Sequence, residues 1–422
     1  MNSTQKFKWY KGKHLLIVIL SFVMFFLQAI LTSGCMNTVW PVLAEMRGWD
    51  INAIYASQTP FTIIYALLTI PIGGLVAKYG ARNVTSIGFV LLGIATIVWG
   101  LVTSQAAFIA ILLVVDILIV FNNQSNPTII SAWFPRTKGI VLGWATMGII
   151  FSDIVFSPYV PNMLGNIGIE KTYGIIGALI IAFGVVTYLL VRNTPEECGC
   201  MPDNAPLEDG VDPREEAKKM AEYKSDWTLG KVLKTKEAWF IMVAFGLLWL
   251  ASGTFLGQIV PRIVDIGYDF SVGVRVMQYS AVAALIGSWA LGEIDQKLGT
   301  KRACVIFAVW EIIMFSCALL MRKSMAFVWI APMGIMFGVG AIANLQPSLI
   351  ISVWGRKDFI AVQRVVQTGV SLILALSYLL TAIRPQLPGG FDTLYIGFIV
   401  GAFVAIFLIM KVEQGKYMKE EI

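Results

Sequence analysis

The chain alternates long apolar runs with short polar segments. The apolar runs approach 20 residues or more, about the length a helix needs to cross a ~30 Å hydrocarbon core. They lack the strict polar–apolar alternation of membrane β-strands. Backbone groups in lipid must be satisfied within the segment, so the runs are predicted to be helices. Twelve spans are predicted, at 15–40, 52–77, 83–104, 107–134, 140–163, 172–191, 238–261, 272–294, 303–321, 325–353, 359–381 and 391–411.

One long polar stretch, 192–236, divides these spans into six before it and six after it. The predicted fold class is therefore an all-α membrane protein of two six-helix bundles. The predicted domains are an N-terminal bundle at 1–191, a cytoplasmic linker loop at 192–236 and a C-terminal bundle at 237–422.

Composition and charge agree with this layout. Only 14% of residues are charged, with a mean hydropathy of +0.75, whereas soluble chains carry about 25% charged residues. With the N-terminus inside, short cytoplasmic segments hold sixteen lysines and arginines, and the opposite side holds about seven. Cytoplasmic loops of membrane proteins carry this excess. A multi-pass cell (inner) membrane protein with both termini in the cytoplasm is predicted, and the net charge of +6 does not indicate nucleic-acid binding.

Neither a cofactor nor a metal is expected. The chain has one histidine, His14, and five cysteines, of which three lie in apolar spans. No Gly-x-x-x-x-Gly-Lys-Ser/Thr sequence is present, which argues against ATP coupling. A membrane-embedded enzyme needs a compact acid–base or nucleophile cluster, which the pattern does not offer. A nutrient sensor usually needs a signalling domain, and the linker is small for one.

The two halves repeat each other at a nearly constant offset. The segment 127–133, Pro-Thr-Ile-Ile-Ser-Ala-Trp, matches 347–354, Pro-Ser-Leu-Ile-Ile-Ser-Val-Trp. Glycines and basic residues of two short loops also match 219 positions apart, namely Gly73 with Gly292, Gly80 with Gly299, and Arg82 with Lys301. Asn123 precedes Asn344 by 221 positions, as Asn37 precedes Gln258. Such internal repeats are common in transporters.

The segment from Gly73 to Arg82 resembles the loop between helices 2 and 3 of the major facilitator superfamily, Gly-x-Leu-Ala-Asp-Arg-x-Gly-Arg-Lys. The family's acid falls on Ala77 here. In the second copy the same slot is Gln296, with Asp295 one position earlier. By resemblance this loop is a gating motif, whose residues here are Gly73, Gly80, Arg82, Gly292, Gly299 and Lys301. The missing acid puts one of the family's gate contacts in doubt.

A narrower resemblance is to the oxalate:formate antiporter-like branch, which includes monocarboxylate carriers. It is carried by the segments 131–139, 192–203 and 234–240. A family cation expected in helix 8 falls on Ser288, which argues against a dicarboxylate such as oxalate. The resemblance implies a site between the bundles, lined by helices 1, 2, 4, 5, 7, 8, 10 and 11.

The predicted function is secondary active transport of a small organic anion by alternating access, and the resemblance to the branch favours a monocarboxylate. Protons or a counter-anion would drive it, and a monomer in the lipid bilayer is expected. The alternative is a proton-coupled exporter or importer of a larger hydrophobic or amphipathic compound, such as a drug or a bile-acid-like molecule. Lone acids in apolar cavities serve that role as well.

Charged side chains inside a bilayer cost roughly 2.5–3.5 kcal/mol on insertion scales, which makes each a functional candidate. Asp153 in span 5 and Asp116 in span 4 are the proton-coupling candidates. For both, the alternative is a structural acid paired with a neighbouring helix. Packing is favoured for Glu311 in span 9.

Arg364 in span 11 is the candidate anion-binding group, because a guanidinium keeps its charge and can clasp a carboxylate with two hydrogen bonds. The alternative is an arginine that snorkels to the interface. The remaining substrate-binding candidates are polar or aromatic residues within the spans, and the alternative for each is an ordinary interhelical hydrogen bond. They are Gln28, Asn37, Gln58, Tyr65, Asn123, Trp249, Gln258, Asn344 and Gln367.

Overall fold

The computed structural model describes residues 10–205, 215 and 222–418, and its regular structure is helical. The first half holds α1 (Gly12–Ala29), α2 (Ser33–Arg47), α3 (Ile51–Tyr79), α4 (Ala81–Leu101), α5 (Gln105–Trp133), α6 (Lys138–Ile167) and α7 (Ile169–Leu190). After α8 (Leu229–Leu233) come α9 (Lys236–Leu256), α10 (Ile259–Asp265), α11 (Phe270–Leu298), α12 (Thr300–Leu319), α13 (Met325–Leu374), α14 (Leu376–Ile383) and α15 (Phe391–Lys411). Short 3₁₀ turns lie at Glu196–Cys198, Pro202–Asn204 and Arg384–Gln386.

Among the described residues, eleven helical segments are long and apolar enough to cross a membrane. One of them, Met325–Thr381, has 57 residues, and at 1.5 Å per residue it is far too long for one crossing. Gly355 breaks it with φ 76° and ψ 178°, a conformation that a residue without Cβ adopts readily. Read as two crossings, this segment brings the number of spans to the predicted twelve.

Three predicted spans are interrupted, and one of them is span 11, which is divided into α13 and α14 at Ala375. The first is divided into α1 and α2 by a turn at Ile30–Thr32, and the seventh into α9 and α10 at Gly257 and Gln258. Hydrophobicity did not reveal these breaks, because the residues on either side remain apolar.

The apolar core follows the division of the sequence. One cluster of buried side chains comes from residues 17–191, and two further clusters come from 232–412. α4 packs closely on α7 in the first half, and α12 packs on α15 in the second. Between the halves, α6 packs on α11 and α3 packs on α13. This arrangement agrees with the predicted pair of six-helix bundles.

Both ends of the described chain lie on one face, called the termini side below. Lys13 Nζ donates to Cys198 O at 3.1 Å, and the backbone N–H of Tyr417 donates to Val353 O at 3.1 Å. Arg356, which follows closely after Val353, pairs with Glu196 at 3.0 Å. These contacts join the start of α1, the beginning of the linker and the end of α15.

The repeated loops have the same backbone conformation. Gly80 begins α4 with φ 82° and ψ 147°, and Gly299 begins α12 with φ 88° and ψ 148°. This region of backbone space is essentially restricted to glycine. The turn between consecutive spans therefore explains Gly80 and Gly299 of the motif, one in each half.

We expect Gly299→Ala to destabilise the protein by about 1–3 kcal/mol, the usual cost of such a conformation for a residue with Cβ. A Cβ at Gly299 would meet nothing within 4 Å, so backbone strain is the sole cause. Thermal unfolding in detergent measures the effect. Gly174→Ala is the matched control, since Gly174 lies inside α7 with equally open surroundings. An unchanged Gly299→Ala melting temperature would contradict the explanation.

Candidate functional site

A cavity of about 360 Å³ lies between the two halves of the chain. Its wall is formed by α1, α3, α5 and α6 from the first half and by α9 and α13 from the second. The residues that line it are Phe25, Gln28, Thr32, Gln58, Phe61, Thr62, Tyr65, Asp116, Ile119, Asn123, Pro127, Thr146, Ile149, Trp249, Ala343, Gln346, Pro347, Gln363, Gln367, Val370, Ser371 and Leu374. Span 8, predicted to contribute, supplies none of these residues.

A chain of hydrogen bonds holds the polar residues of the first half. Gln28 Nε2 donates to Asn123 Oδ1 at 2.9 Å, and Asn123 Nδ2 donates to the Tyr65 hydroxyl at 2.7 Å. Asn122 Nδ2 donates in turn to Gln28 Oε1. Three spans thus present a preorganised set of amide and phenol groups to the cavity.

A second chain lies on α13, whose two spans face each other across Gly355. Gln346 Nε2 donates to Gln367 Oε1 at 2.9 Å, and Gln363 Nε2 approaches the same oxygen at 3.5 Å. Gln367 Nε2 donates to Ser371 Oγ at 3.2 Å. The cavity therefore has amide groups on two opposing walls, which can donate and accept hydrogen bonds.

Asp116 is the acid that lines the cavity. Within the described chain, the structure gives its carboxylate no hydrogen bond or ion pair. No lysine or arginine lines the cavity among the described residues. The wall thus carries one carboxylic acid among neutral polar groups, with Phe25, Phe61, Tyr65 and Trp249 as its aromatic members.

Six of the ten substrate-binding candidates line the cavity, namely Gln28, Gln58, Tyr65, Asn123, Trp249 and Gln367. The remaining four are placed differently. Asn344 Nδ2 donates to Ser288 O at 3.1 Å, and Gln258 Nε2 approaches Thr381 Oγ1 at 3.5 Å. The side chain of Asn37 lies outside what the structure describes. Asn344, the counterpart of Asn123 in the repeat, thus turns toward α11.

Arg364 lies beside the cavity rather than in its wall. Its side chain crosses Gly73 of α3, where a Cβ on the glycine would come within 2.6 Å of Arg364 Cβ. Arg364 Nη1 lies next to Gly74, 3.1 Å from the position a Cβ would take. Its Nε is buried without a hydrogen-bond partner in the described part of the chain.

Asp153, the other proton-coupling candidate, is also absent from the cavity wall. It lies on α6, and its carboxylate accepts a hydrogen bond from the backbone N–H of Cys35. Its Oδ1 is buried and has no partner within the described residues. The packing expected of Glu311 agrees with its position, since it is fully buried and accepts from Ser252 Oγ.

Six polar residues of the cavity wall were not among the predicted site residues, namely Thr32, Thr62, Thr146, Gln346, Gln363 and Ser371. A useful signal was available for Gln363, which lies one turn before Gln367 and therefore shares its helix face. No comparable signal existed for the threonines. Their hydroxyls satisfy backbone carbonyls, as when Thr62 Oγ1 donates to Gln58 O at 2.9 Å.

The two halves are in direct contact on the termini side of the cavity. Ser288 Oγ of α11 donates to Gly143 O of α6 at 2.8 Å, and Thr146 Oγ1 lies 2.7 Å from Ser288 Oγ. In the other helix pair, Thr69 Oγ1 donates to Arg364 O at 3.2 Å. These contacts close the cavity toward the termini.

Glycines permit this closure. A Cβ at Gly292 would lie 2.8 Å from Gly139 O, and one at Gly143 would lie 2.7 Å from Ser288 O. Gly73 has the same function opposite Arg364. Arg82 and Lys301 act elsewhere, since Arg82 Nε donates to Tyr188 O at 2.8 Å and Lys301 Nζ donates to Val412 O at 2.9 Å. Of the six motif residues, two glycines thus lie at the contact, two glycines form the turns, and the two cations hold loop ends.

The first part of the linker is bound to the same side. Arg356 Nη1 forms an ion pair with Glu196 Oε1 at 3.0 Å, with side chains 8% and 1% exposed. The carboxylate of Asp203 accepts from the backbone N–H groups of Arg136 and Thr137 at 2.9 and 2.8 Å. Burial raises the pKa of the Asp203 carboxyl, against the lowering effect of these hydrogen bonds. The linker therefore connects α6 with the turn between spans 10 and 11.

A comparison with protein families identifies this architecture. The family model of the Major Facilitator Superfamily matches residues 17–377. The chain belongs to the major facilitator superfamily. It is therefore a transporter of the multi-pass membrane type, as the fold and the motif-like loops predicted.

Curated relatives are distant. The chain is 24% identical over 375 residues to the inner membrane transport protein RhmT of Escherichia coli (strain K12), covering 84% of this chain and 77% of RhmT. It is 21% identical to the MFS-type transporter YhjX of the same organism, over 54% of this chain and 52% of YhjX. The probable anion transporter 3, chloroplastic, of Arabidopsis thaliana is 25% identical over 37% of this chain and 31% of its own length.

Solved structures share the fold. The proton:xylose symporter XylE, bound to 6-bromo-6-deoxy-D-glucose, superimposes with a TM-score of 0.72 at 14% identity, over 96% of each chain. FucP in the outward conformation gives a TM-score of 0.72 at 12% identity, over 96% of this chain and all of that one. At these identities the likeness concerns the fold.

We expect Glu196→Gln to loosen the linker on the termini side. Removing one partner of a buried ion pair costs roughly 3–5 kcal/mol. Cys198 lies in the same 3₁₀ turn, and burial raises the pKa of its thiol, which limits the reactive thiolate. Maleimide labelling of Cys198, followed by peptide mass spectrometry, should therefore be faster in the variant.

Lys297→Met is the control for this experiment. Lys297 forms an exposed ion pair with Glu293 at 3.2 Å, and such pairs contribute about 0–1 kcal/mol. Its Cys198 labelling should equal that of the wild type. Equal labelling in Glu196→Gln as well would show that the ion pair does not hold the linker.

Proposed function

We propose that this protein is a secondary active transporter of a small organic anion, with a monocarboxylate as the preferred substrate class. The observation that carries the proposal is the position of Arg364. Its side chain lies against Gly73 and Gly74, at the contact that closes the cavity toward the termini, and the described part of the chain supplies its guanidinium with no acidic partner. An unpaired cation in this setting is costly, and the carboxylate of a substrate would offset that cost.

Arg364 shares a helix face with part of the polar wall. It precedes Gln367 by three residues and Thr368 by four, so the three side chains lie on neighbouring positions of one helix face. A guanidinium binds a carboxylate through two parallel hydrogen bonds. The amides of Gln367 and Gln346 then suit the remaining polar groups of a small acid, within a cavity of about 360 Å³.

Asp116 is the proposed site of proton coupling. It is the acid in the cavity wall. It lies on α5, across the cavity from the amides of α13. An acid that faces the substrate can lose or gain its proton as the cavity changes access. Transport would then follow the proton gradient, by symport or by exchange against a counter-anion.

Two further observations support an anion. The segments 131–139 and 192–203 resemble the branch that contains monocarboxylate carriers, and one curated relative is a probable anion transporter.

The excess of lysine and arginine in the loops of the termini side supports a cytoplasmic location for that side. The structure then corresponds to a state closed toward the cytoplasm, in the inner membrane.

A neutral polyhydroxylated solute is the second candidate. The observation in its favour is that six amide side chains, and no cation, belong to the cavity wall among the described residues. The structural neighbour XylE is a proton:xylose symporter, although that likeness concerns the fold. The amide-rich wall gives less support to a large hydrophobic or amphipathic compound.

Uptake by proteoliposomes tests the proposal. Lactate, pyruvate, acetate and formate are supplied with an inward proton gradient or for counterflow, with xylose and fucose as neutral comparators. We expect at least one monocarboxylate to accumulate. Accumulation of a sugar alone would establish the second candidate and exclude the first.

Arg364→Gln should raise the KM for the transported carboxylate about tenfold or more, because a hydrogen bond to a charged group contributes about 1.5–3 kcal/mol. Initial uptake rates over a range of substrate concentrations measure this effect. Arg322→Gln is the control, since Arg322 is 57% exposed and pairs with Asp265. An unchanged KM in Arg364→Gln would leave the arginine with a structural role only.

Asp116→Asn should abolish accumulation driven by a proton gradient while counterflow exchange continues, because the amide cannot carry the proton. Both modes are measured in the same proteoliposomes. Glu170→Gln removes an exposed carboxylate at the start of α7 and should behave as the wild type. Full proton-driven accumulation by Asp116→Asn would exclude this residue from coupling.

A further inference from the structure

Span 1 is broken at the level of the cavity, and its second segment has no cap of its own. α2 begins at Ser33 after Thr32, whose side chain makes no capping hydrogen bond. Thr32 Oγ1 instead donates back to Ala29 O at 3.0 Å. The first intrahelical hydrogen bond is donated by the N–H of Met36 to Thr32 O at 3.0 Å. The N–H groups before Met36 therefore need an acceptor from elsewhere.

Asp153 supplies this acceptor from a different span. Its carboxylate, on α6, accepts the hydrogen bond of Cys35 N–H in the first turn of α2. A carboxylate at this position also interacts favourably with the positive end of the helix dipole. Cys35 is completely buried, so water does not offer the same hydrogen bond.

We propose that ionised Asp153 anchors α2 to α6 and thereby holds span 1 open on the side away from the termini. Asp153 is a positioning residue in this proposal, since it is absent from the cavity wall and acts through α2. The proposal rests on the transport function proposed above. It identifies α2 as the segment that moves, because the break at Ile30–Thr32 separates α2 from α1.

The break makes independent movement of α2 possible. Thr32 and Gln28 line the cavity on the two sides of the break, so a shift of α2 changes the cavity itself. The halves of the chain contact each other on the termini side, through Ser288 with Gly143 and through Thr69 with Arg364. In an alternating-access cycle, the cavity would next have to close on the opposite side.

The surroundings of Asp153 make its charge decisive. Within the described chain, its carboxylate contacts Cys35 of α2, and its Oδ1 has no partner. The other titratable group near this contact is the Tyr173 hydroxyl of α7, which faces Cys35 and is also buried without a partner. No lysine, arginine or histidine of the described elements packed against α6 interacts with the carboxylate. Uptake of a proton by Asp153 would remove the charge that holds α2.

Cys35 itself reports on this contact. N-ethylmaleimide is applied to the full-length protein in proteoliposomes, and alkylation of each cysteine is followed by peptide mass spectrometry. Asp153→Ala should raise the rate of Cys35 alkylation about tenfold. Loss of a typical N-cap interaction changes an equilibrium by a factor of about this size. Asp153→Asn should raise it less, because its amide oxygen still accepts a hydrogen bond without carrying charge.

Two controls separate release of α2 from general unfolding. Cys304 is completely buried in α12, so its alkylation should stay unchanged in both variants. Ser152 is a buried neighbour of Asp153, and its hydroxyl has no hydrogen-bond partner in the described chain. Ser152→Ala should therefore leave the rate of Cys35 alkylation at the wild-type value. If Asp153→Ala also exposes Cys304, the comparison rests on Asp153→Asn, which preserves the side-chain volume.

A second measurement follows the position of α2. Spin labels at Met46→Cys near the end of α2 and Val264→Cys in α10, both exposed positions, give the distance between the halves on the side away from the termini. We expect the distribution to shift to shorter distances in Asp153→Asn. Unchanged Cys35 alkylation and an unchanged distribution in this variant would overturn the proposal. Neither readout needs a substrate, so failure of the anion proposal would not produce this result.

Discussion

Every backbone N–H and C=O inside a membrane must find a partner within the protein, and this constraint governs how the chain can form a cavity. Continuous helices satisfy this constraint, but they form a cavity wall without turns or bends. The chain departs from continuous helices at Ile30–Thr32, at Gly257 and around Ala375. At the first of these breaks, Asp153 of another span supplies an acceptor for α2. This break therefore lies where a neighbouring helix can repair it.

The same constraint explains the use of glycine. The loops after α3 and α11 are single glycines, and Gly80 and Gly299 allow α4 and α12 to begin directly after a sharp turn. On the termini side, Gly139, Gly143 and Gly292 bring the backbones of α6 and α11 into contact. Close backbone contact lets Ser288 bond a carbonyl of the opposite half. Closure of the cavity depends on these small residues more than on charge.

The repeat is symmetrical in its architecture and unsymmetrical in its chemistry. Gly143 in the first half corresponds to Arg364 in the second, 221 positions later. One helix pair therefore closes through glycine against backbone, and the other closes through an arginine laid across Gly73. The difference introduces a single cation next to a cavity whose own wall is neutral apart from Asp116. This asymmetry is the main support for an anionic substrate.

The sequence by itself determined the number of spans, the division into halves and the family. These properties depend on hydrophobic length, on charge in the loops and on local motifs, all of which act over short distances along the chain. It also selected Gln28, Gln58, Asn123 and Asp116, because polar groups in apolar spans are costly unless a cavity or a partner accepts them. The sequence could not decide which of these two outcomes applied to each residue.

Only the tertiary structure decided those outcomes. Asn344 turned to a carbonyl of α11, Arg364 lay across Gly73, and Asp153 became the acceptor for α2. Each result depends on the rotation of one helix against another, which is set by packing between distant segments. Hydrophobicity and periodicity describe a helix face but not the neighbour it meets, and that neighbour determines whether a polar group binds a solute or supports the fold.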